Sequence, residues 1–315
     1  MTRILCFAIA VASLVVPLVP RAEGPVMKTQ PGYYRMSLGD FEITALSDGT
    51  LALPVDRLLQ GTPAENVKRA LQRDFLGLPT DTSVNGFLVR TGSKLVLIDT
   101  GAGSLLGPTA GRLVASLQAA GYTPQQVDEI YLTHMHLDHA GGLAADGKPV
   151  FPNALVRADK READFWLSPA NLEKAPAERK GFFKGAMASL DPYVKAGRFK
   201  PFDGETELLP GVRPVPTYGH TPGHTSYALE SRGEKLLVWG DLIHVAAVQF
   251  PDPWVTITFD SDQDAARTQR EKEFAELARA SSWIAAAHLS FPGLGHIRRV
   301  GEGYVFVPIN YFVPQ

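Results

Sequence analysis

Within six consecutive residues this chain carries His134, His136, Asp138 and His139, in Thr133-His134-Met135-His136-Leu137-Asp138-His139-Ala140-Gly141-Gly142. A fold that accepts this segment must give four polar side chains a common partner or leave them unsatisfied, at about 1–3 kcal/mol for each buried group. Glu129-Ile130-Tyr131-Leu132-Thr133 reads as a strand leading into it. An extended backbone sends His134 and His136 to one side. Asp138 and His139 are expected from the loop that follows, with Gly141-Gly142 letting the chain turn. Imidazole and carboxylate together suit borderline divalent metals such as zinc.

All eight histidines fall in segments 134–139, 220–244 and 288–296. The second segment begins Gly219-His220-Thr221-Pro222-Gly223-His224, and the third holds His288 and His296. Singly, each of these reads as a loop histidine making a hydrogen bond. Together they read as ligands. A strand expected over 235–239 delivers Asp241 to its C-terminal end, where chemistry usually sits in α/β proteins. Gly101-Ala102-Gly103-Ser104-Leu105-Leu106-Gly107 also follows a strand and superficially suggests a dinucleotide loop. Its third glycine is one residue late, and Asp99 would face the pyrophosphate.

Further strands are expected over 41–47 (closed by Asp48-Gly49), 94–99, 154–158, 255–259 and within 297–311. Helices are expected irregularly over 55–76, then near 113–120, from 159 through Trp166, over 182–197 and over 262–281. Alternating strands and helices, with no repeat and no clear linker, give an α/β class. The net charge is −2, from 31 basic and 33 acidic residues. No Lys/Arg-rich run stands out, so nucleic acid is not an expected partner.

Met1-Thr2-Arg3 followed by an apolar run to Val19 has the form of a secretory signal over 1–22. The run falls short of the ~20 apolar residues a spanning helix needs, and Pro17 interrupts it. Residues 23–32 read as a flexible arm and 33–315 as one domain. The expected location is periplasmic or secreted, without stable membrane insertion. Cys6 is the single cysteine and lies in the signal. The exported chain would therefore have no disulfide, thiolate ligand or cysteine nucleophile.

The pattern His134-x-His136-x-Asp138-His139, then His220, Asp241 and His288, resembles the metallo-β-lactamase superfamily. The likeness is closer in Pro31-Gly32-Tyr33-Tyr34-Arg35-Met36, 39–50, Gly181-Phe182-Phe183-Lys184-Gly185-Ala186-Met187 and His288-Leu289-Ser290-Phe291-Pro292-Gly293. Those stretches look like methyl parathion hydrolases and dihydrocoumarin hydrolases, which are lactonases. The resemblance implies an αββα sandwich, two mixed sheets flanked by helices. It also implies two divalent ions, zinc first, with manganese, cobalt or iron as alternatives. His134, His136 and His220 would hold one ion; Asp138, His139 and His288 the other; Asp241 would bridge them. Asp99 and His224 would orient ligands, and His296 would do the same or be structural.

The implied reaction is hydrolysis of a lactone, aryl ester or organophosphate triester by a hydroxide shared between the two ions. Asp138 and Asp241 are the expected catalytic carboxylates. The bridging Asp241 separates this chain from true β-lactam hydrolases. Trp166 and Phe182 align with pocket aromatics, and Leu106 stands where an aromatic is expected. His244 replaces an expected leucine, and Ile257 and Phe259 are bulkier than expected. These departures imply a narrow pocket that suits a flat aromatic lactone better than a tetrahedral triester. A dedicated organophosphorus hydrolase is the nearest alternative, and a non-catalytic exported metal-binding protein is an alternative of another class. Homodimerisation is implied by the resemblance alone.

Overall fold

The computed structural model describes residues 30–311. The expected signal, Cys6 and most of the arm lie outside these residues. Gly32, assigned to the arm, already accepts a hydrogen bond from Ser47 N at 2.8 Å.

Two six-stranded sheets run in chain order. The first contains Tyr33–Leu38 (β1), Phe41–Leu53 (β2), Thr80–Arg90 (β3), Leu95–Ile98 (β4), Glu129–Tyr131 (β5) and Leu155–Arg157 (β6). Its first four strands are antiparallel neighbours, and β4, β5 and β6 are parallel. The second contains Val212–Pro216 (β7), Thr225–Ser231 (β8), Glu234–Val238 (β9), Trp283–Ala285 (β10), Leu294–Val300 (β11) and Gly303–Pro308 (β12). Only its β9–β10 pair is parallel.

Period-2 alternation sorts the strand residues into layers. In β4, Leu95 and Leu97 pack outward under the helices Leu113–Ala119 and Lys180–Lys195. Val96 and Ile98 face the other way, into the space between the sheets. In β9, Leu236 and Val238 face that same space, whereas Leu237 packs under Phe274 and Leu277 of the helix Gln263–Ala280. The result is helix, sheet, sheet, helix, as the resemblance implied. Among the described residues no helix is long and apolar enough to cross a membrane.

Two expectations change. The strand begun at Phe41 does not close at Asp48-Gly49 but continues through a bulge to Leu53. Asp48 is not a turn residue: its buried carboxylate accepts N–H groups of Ala102, Gly111 and Leu113 at 2.9–3.0 Å. The strand expected over 255–259 shrinks to Thr256–Ile257, paired with Leu59–Gln60. Asn85-Gly86 sits inside β3 although it has turn composition. Asn85 donates to Ala286 O and Leu289 O, and a Cβ on Gly86 would meet Leu113 Cδ1 at 2.6 Å.

Candidate metal centre

The ligand-type residues leave the C-terminal ends of β5, β9 and β10 and the turn between β7 and β8. His134 and His136 come straight off β5. Asp138 and His139 stand on the short helix Leu137–Ala140, which replaces the expected loop. Gly141 has φ −63° and turns nothing unusual. The glycine pair is needed for space instead: a Cβ on Gly142 would lie 2.0 Å from Thr100 O. Gly240 does need its positive φ of 57°, and a Cβ there would meet His224 Nε2 at 2.6 Å. It aims Asp241 at the centre.

His134, His136, His220 and Asp241 place one ligand atom each within 4.8 Å of one another, as do Asp138, His139 and His288. Asp241 touches both sets. Its Oδ2 is 3.3 Å from His220 Nε2 and 3.2 Å from His288 Nε2, and its Oδ1 is 3.1 Å from His139 Nε2. Asp138 Oδ2 is 3.6 Å from His139 Nε2 and 3.5 Å from His288 Nε2. Close approach here is not ordinary pairing. His134 Nε2, His139 Nε2 and Asp241 Oδ1 are buried and make no hydrogen bond. Lone pairs converging without protons between them fit shared cations.

The far nitrogens of four of the rings are occupied. His139 Nδ1 donates to Asp99 Oδ2 at 2.8 Å, and His220 Nδ1 donates to Asp260 Oδ1 at 2.8 Å. His288 Nδ1 donates to Ser83 O at 2.8 Å. Thr133 Oγ1 donates to Asp99 Oδ2 at 2.7 Å, leaving its lone pair for His134 Nδ1 at 3.1 Å. Each such bond fixes a tautomer whose Nε2 lone pair faces inward. Asp99 holds φ +60°, a left-handed conformation that Asp tolerates at a constrained site. His224, also expected to orient a ligand, accepts Asp241 N–H on Nε2 at 2.9 Å. His296 does not reach the centre: it packs on Trp283 at 3.9 Å and bonds Ser282 O.

Burial pushes His134 and His136 well below the usual imidazole range, so both stay neutral and ligand-ready. Burial alone would protonate Asp241, but the imidazoles around it, His139 and His288 foremost, outweigh that and hold it ionised. Burial also opposes the imidazolium of His220, but Asp241 and Asp260 outweigh it and raise this group to about 9.

Of the expected pocket residues, Phe182 and Trp166 meet His136 at ring distances of 5.4 and 5.3 Å. Trp166 also belongs to the core beside Phe183, at 4.6 Å. His244 lies between His220 and His288, at 5.1 and 5.0 Å, with Nε2 3.1 Å from Asp241 Oδ2. Phe259 stands 6.0 Å beyond it. Ile257 is buried and packs with Val55, Leu59 and Val67, and its N–H donates to Asp260 Oδ2 at 3.1 Å, on the carboxylate that holds His220. Leu106 is half-buried in the loop after β4. Asp260, Gln249 and Arg270 were not foreseen. Gln249 Oε1 accepts His244 N–H, and buried Arg270 donates to Leu242 O, Pro253 O and Val255 O. No spacing in the sequence links them to the centre.

The family pattern of the metallo-β-lactamase superfamily matches residues 79–288. The crystal structure of hydrolase AbOPH, described as in the β-lactamase superfamily, is 39% identical. It covers 91% of this chain and 100% of its own, with a TM-score of 0.87. AidC, a dizinc quorum-quenching lactonase solved with its product N-hexanoyl-L-homoserine, is 29% identical. It covers 90% of this chain and 99% of its own, with a TM-score of 0.82. An N-acyl homoserine lactonase of Bacillus cereus is 28% identical over 162 residues, 51% of this chain and 56% of the relative. The chain thus spans little more than half the length of that curated relative. With the ligand geometry and these matches in hand, the chain belongs to the metallo-β-lactamase superfamily and has the make-up of a metal-dependent hydrolase.

Proposed function

We propose that this protein opens lactones or aryl esters of the dihydrocoumarin type, and that it hydrolyses organophosphate triesters as a weaker side activity. The observation that carries the reading is Asp241, one carboxylate shared between two convergent ligand sets. His134, His136 and His220 would hold one divalent ion, zinc first, and Asp138, His139 and His288 the other. Bound there, such ions supply Lewis acidity and make water nucleophilic near neutral pH.

The chain's own residues do the rest. Asp99 and Asp260 keep His139 and His220 in the tautomer that points Nε2 inward. Asp138 is the more exposed of the two carboxylates, its side chain 16% accessible against 3% for Asp241. It would take the proton that the attacking water gives up. Phe182 and Trp166 on one side, with His244 and Phe259 on the other, flank the ligand groups. Between such walls a flat ring is held more easily than a phosphorus centre with two alkoxy arms. AidC and the Bacillus cereus relative are both described as lactonases, which supports carbonyl chemistry.

The test strips metal from the purified protein and reloads it separately with zinc, manganese and cobalt. Turnover of dihydrocoumarin, an N-acyl homoserine lactone and methyl paraoxon is then compared. Faster metal-dependent lactone opening is expected. Faster methyl paraoxon hydrolysis would make it a dedicated organophosphorus hydrolase, and stoichiometric metal without turnover would make it a binding protein. Two further parts of this reading are export through residues 1–22, checked by cell fractionation, and homodimerisation, checked by sedimentation.

A further inference from the structure

Glu162 is a buried carboxylate with no place in either ligand set. It lies in the first turn of the helix Lys160–Trp166 and is 0% exposed. Burial pushes it up to about 7, and the donors that surround it pull the other way. Its Oε1 accepts Met135 N–H at 2.8 Å. Its Oε2 accepts Thr221 O–H at 2.7 Å and Gly223 N–H at 3.0 Å.

The identity of those donors is informative. Met135 sits between His134 and His136, and Thr221 directly follows His220. One side chain therefore fastens together the two loops that supply all three imidazoles of the first ligand set. These loops belong to different sheets. The contact is tight: a Cβ on Gly223 would lie 2.2 Å from Glu162 N. The second set is fastened by other groups, His139 by Asp99 and His288 by Ser83 O.

We infer that Glu162 is a positioning residue for the ion held by His134, His136 and His220, and sets the affinity of that ion without touching it. The inference rests on the metal-centre reading above and not on the choice of substrate. Replacing Glu162 by Gln keeps the volume but turns an amide N–H₂ toward donors, so one loop loses its acceptor. Partners one bond removed from a metal ligand typically change affinity by ~10–100-fold.

The test measures zinc affinity by chelator competition in two backgrounds. His288→Ala leaves the first ligand set intact, and His136→Ala leaves the second. Adding Glu162→Gln should weaken zinc by ~10–100-fold in the first background and by less than about twofold in the second. Equal weakening in both, or none in either, overturns the inference. Should Glu162→Gln fail to fold, Thr221→Val removes a single donor and is read the same way. A smaller loss confined to the first background is expected, and a loss shared by both overturns the inference. If the unsubstituted protein binds no zinc, the metal-centre reading itself falls, an outcome distinct from a protein that binds two ions regardless of Glu162.

Discussion

The two ligand sets meet at Asp241 but are built differently. The first is three imidazoles drawn from both sheets, supported by acids outside the set: Asp260 behind His220 and Glu162 behind the loops. The second contains a carboxylate of its own, Asp138, which is partly open to solvent. One of its two imidazoles leans on an acid, Asp99, and the other on a neutral carbonyl, Ser83 O. A set that borrows its charge from a distance is open to damage from a distance. A set that carries its charge, and shows it to water, should exchange its ion more readily.

The largest expected effect breaks the comparison outright. Asp241→Ala removes the group common to both sets, and both ions should be lost, with affinity down more than ~100-fold and turnover with it. Metal counting by mass spectrometry checks this. Retention of one ion at full affinity would mean that the carboxylate serves one set only.

Asp260→Asn and Asp99→Asn sharpen the comparison. Asp260→Asn should weaken the first-set ion by ~10–100-fold, and Asp99→Asn the second-set ion by as much through His139, with a smaller effect on the first set through Thr133 and His134. Chelator titration of the cobalt-loaded variants should show one early and one unchanged release step for Asp260→Asn, and an early second-set step with a smaller first-set shift for Asp99→Asn. Identical titration curves would erase the distinction.

A pH dependence comes next in size. His220 is raised from 6.5 to about 9 in the metal-free protein. Its protonated form therefore stabilises the metal-free fold fully below the unfolded value, and that stability is lost as pH rises through about 9. Metal must displace this proton. Loading at neutral pH should release protons, and affinity at the first set should rise with pH up to about 9. Calorimetry in buffers of different ionisation enthalpy checks this. A first-set affinity flat between neutral pH and about 9 would remove it.

The smallest effect concerns the walls. His244→Leu should move the lactone-to-triester rate ratio toward the triester by about tenfold, the scale of a side-chain change in a pocket. Steady-state kinetics on dihydrocoumarin and methyl paraoxon read it, and an unchanged ratio would free His244 of any role in selectivity.

The convergence of the His and Asp groups that could hold metal was readable in the sequence because their residue types are uncommon and crowded. Four lie in one short segment, and Asp241 follows a strand that advertises itself. The layers were readable from alternation, as in Leu95-Val96-Leu97-Ile98. What stayed hidden connects distant segments. Asp260 reaches His220 across 40 residues, and Glu162 reaches Thr221 across 59, so neither leaves a local pattern. Asp48-Gly49 misled for a related reason. Its composition says turn, but N–H groups of Ala102, Gly111 and Leu113 claim the carboxylate and the strand runs on.

Four of the seven ligands follow β5 of the first sheet, and three belong to the second sheet. Between the layers the inner faces meet mainly through apolar packing, such as Val96 and Ile98 with Leu236 and Val238, with a few hydrogen bonds such as Asn85 to Ala286 O and Tyr227 O–H to Leu132 O. An ion held from both sides would join the two halves as a staple does, and its binding energy would become folding energy. The melting temperature should then follow the free metal concentration rather than stand as a constant of the chain. No cysteine occurs in residues 30–311. A coordinated ion would give this body the kind of cross-link that other chains make with sulfur, and removing the ion would open it without cutting a covalent bond.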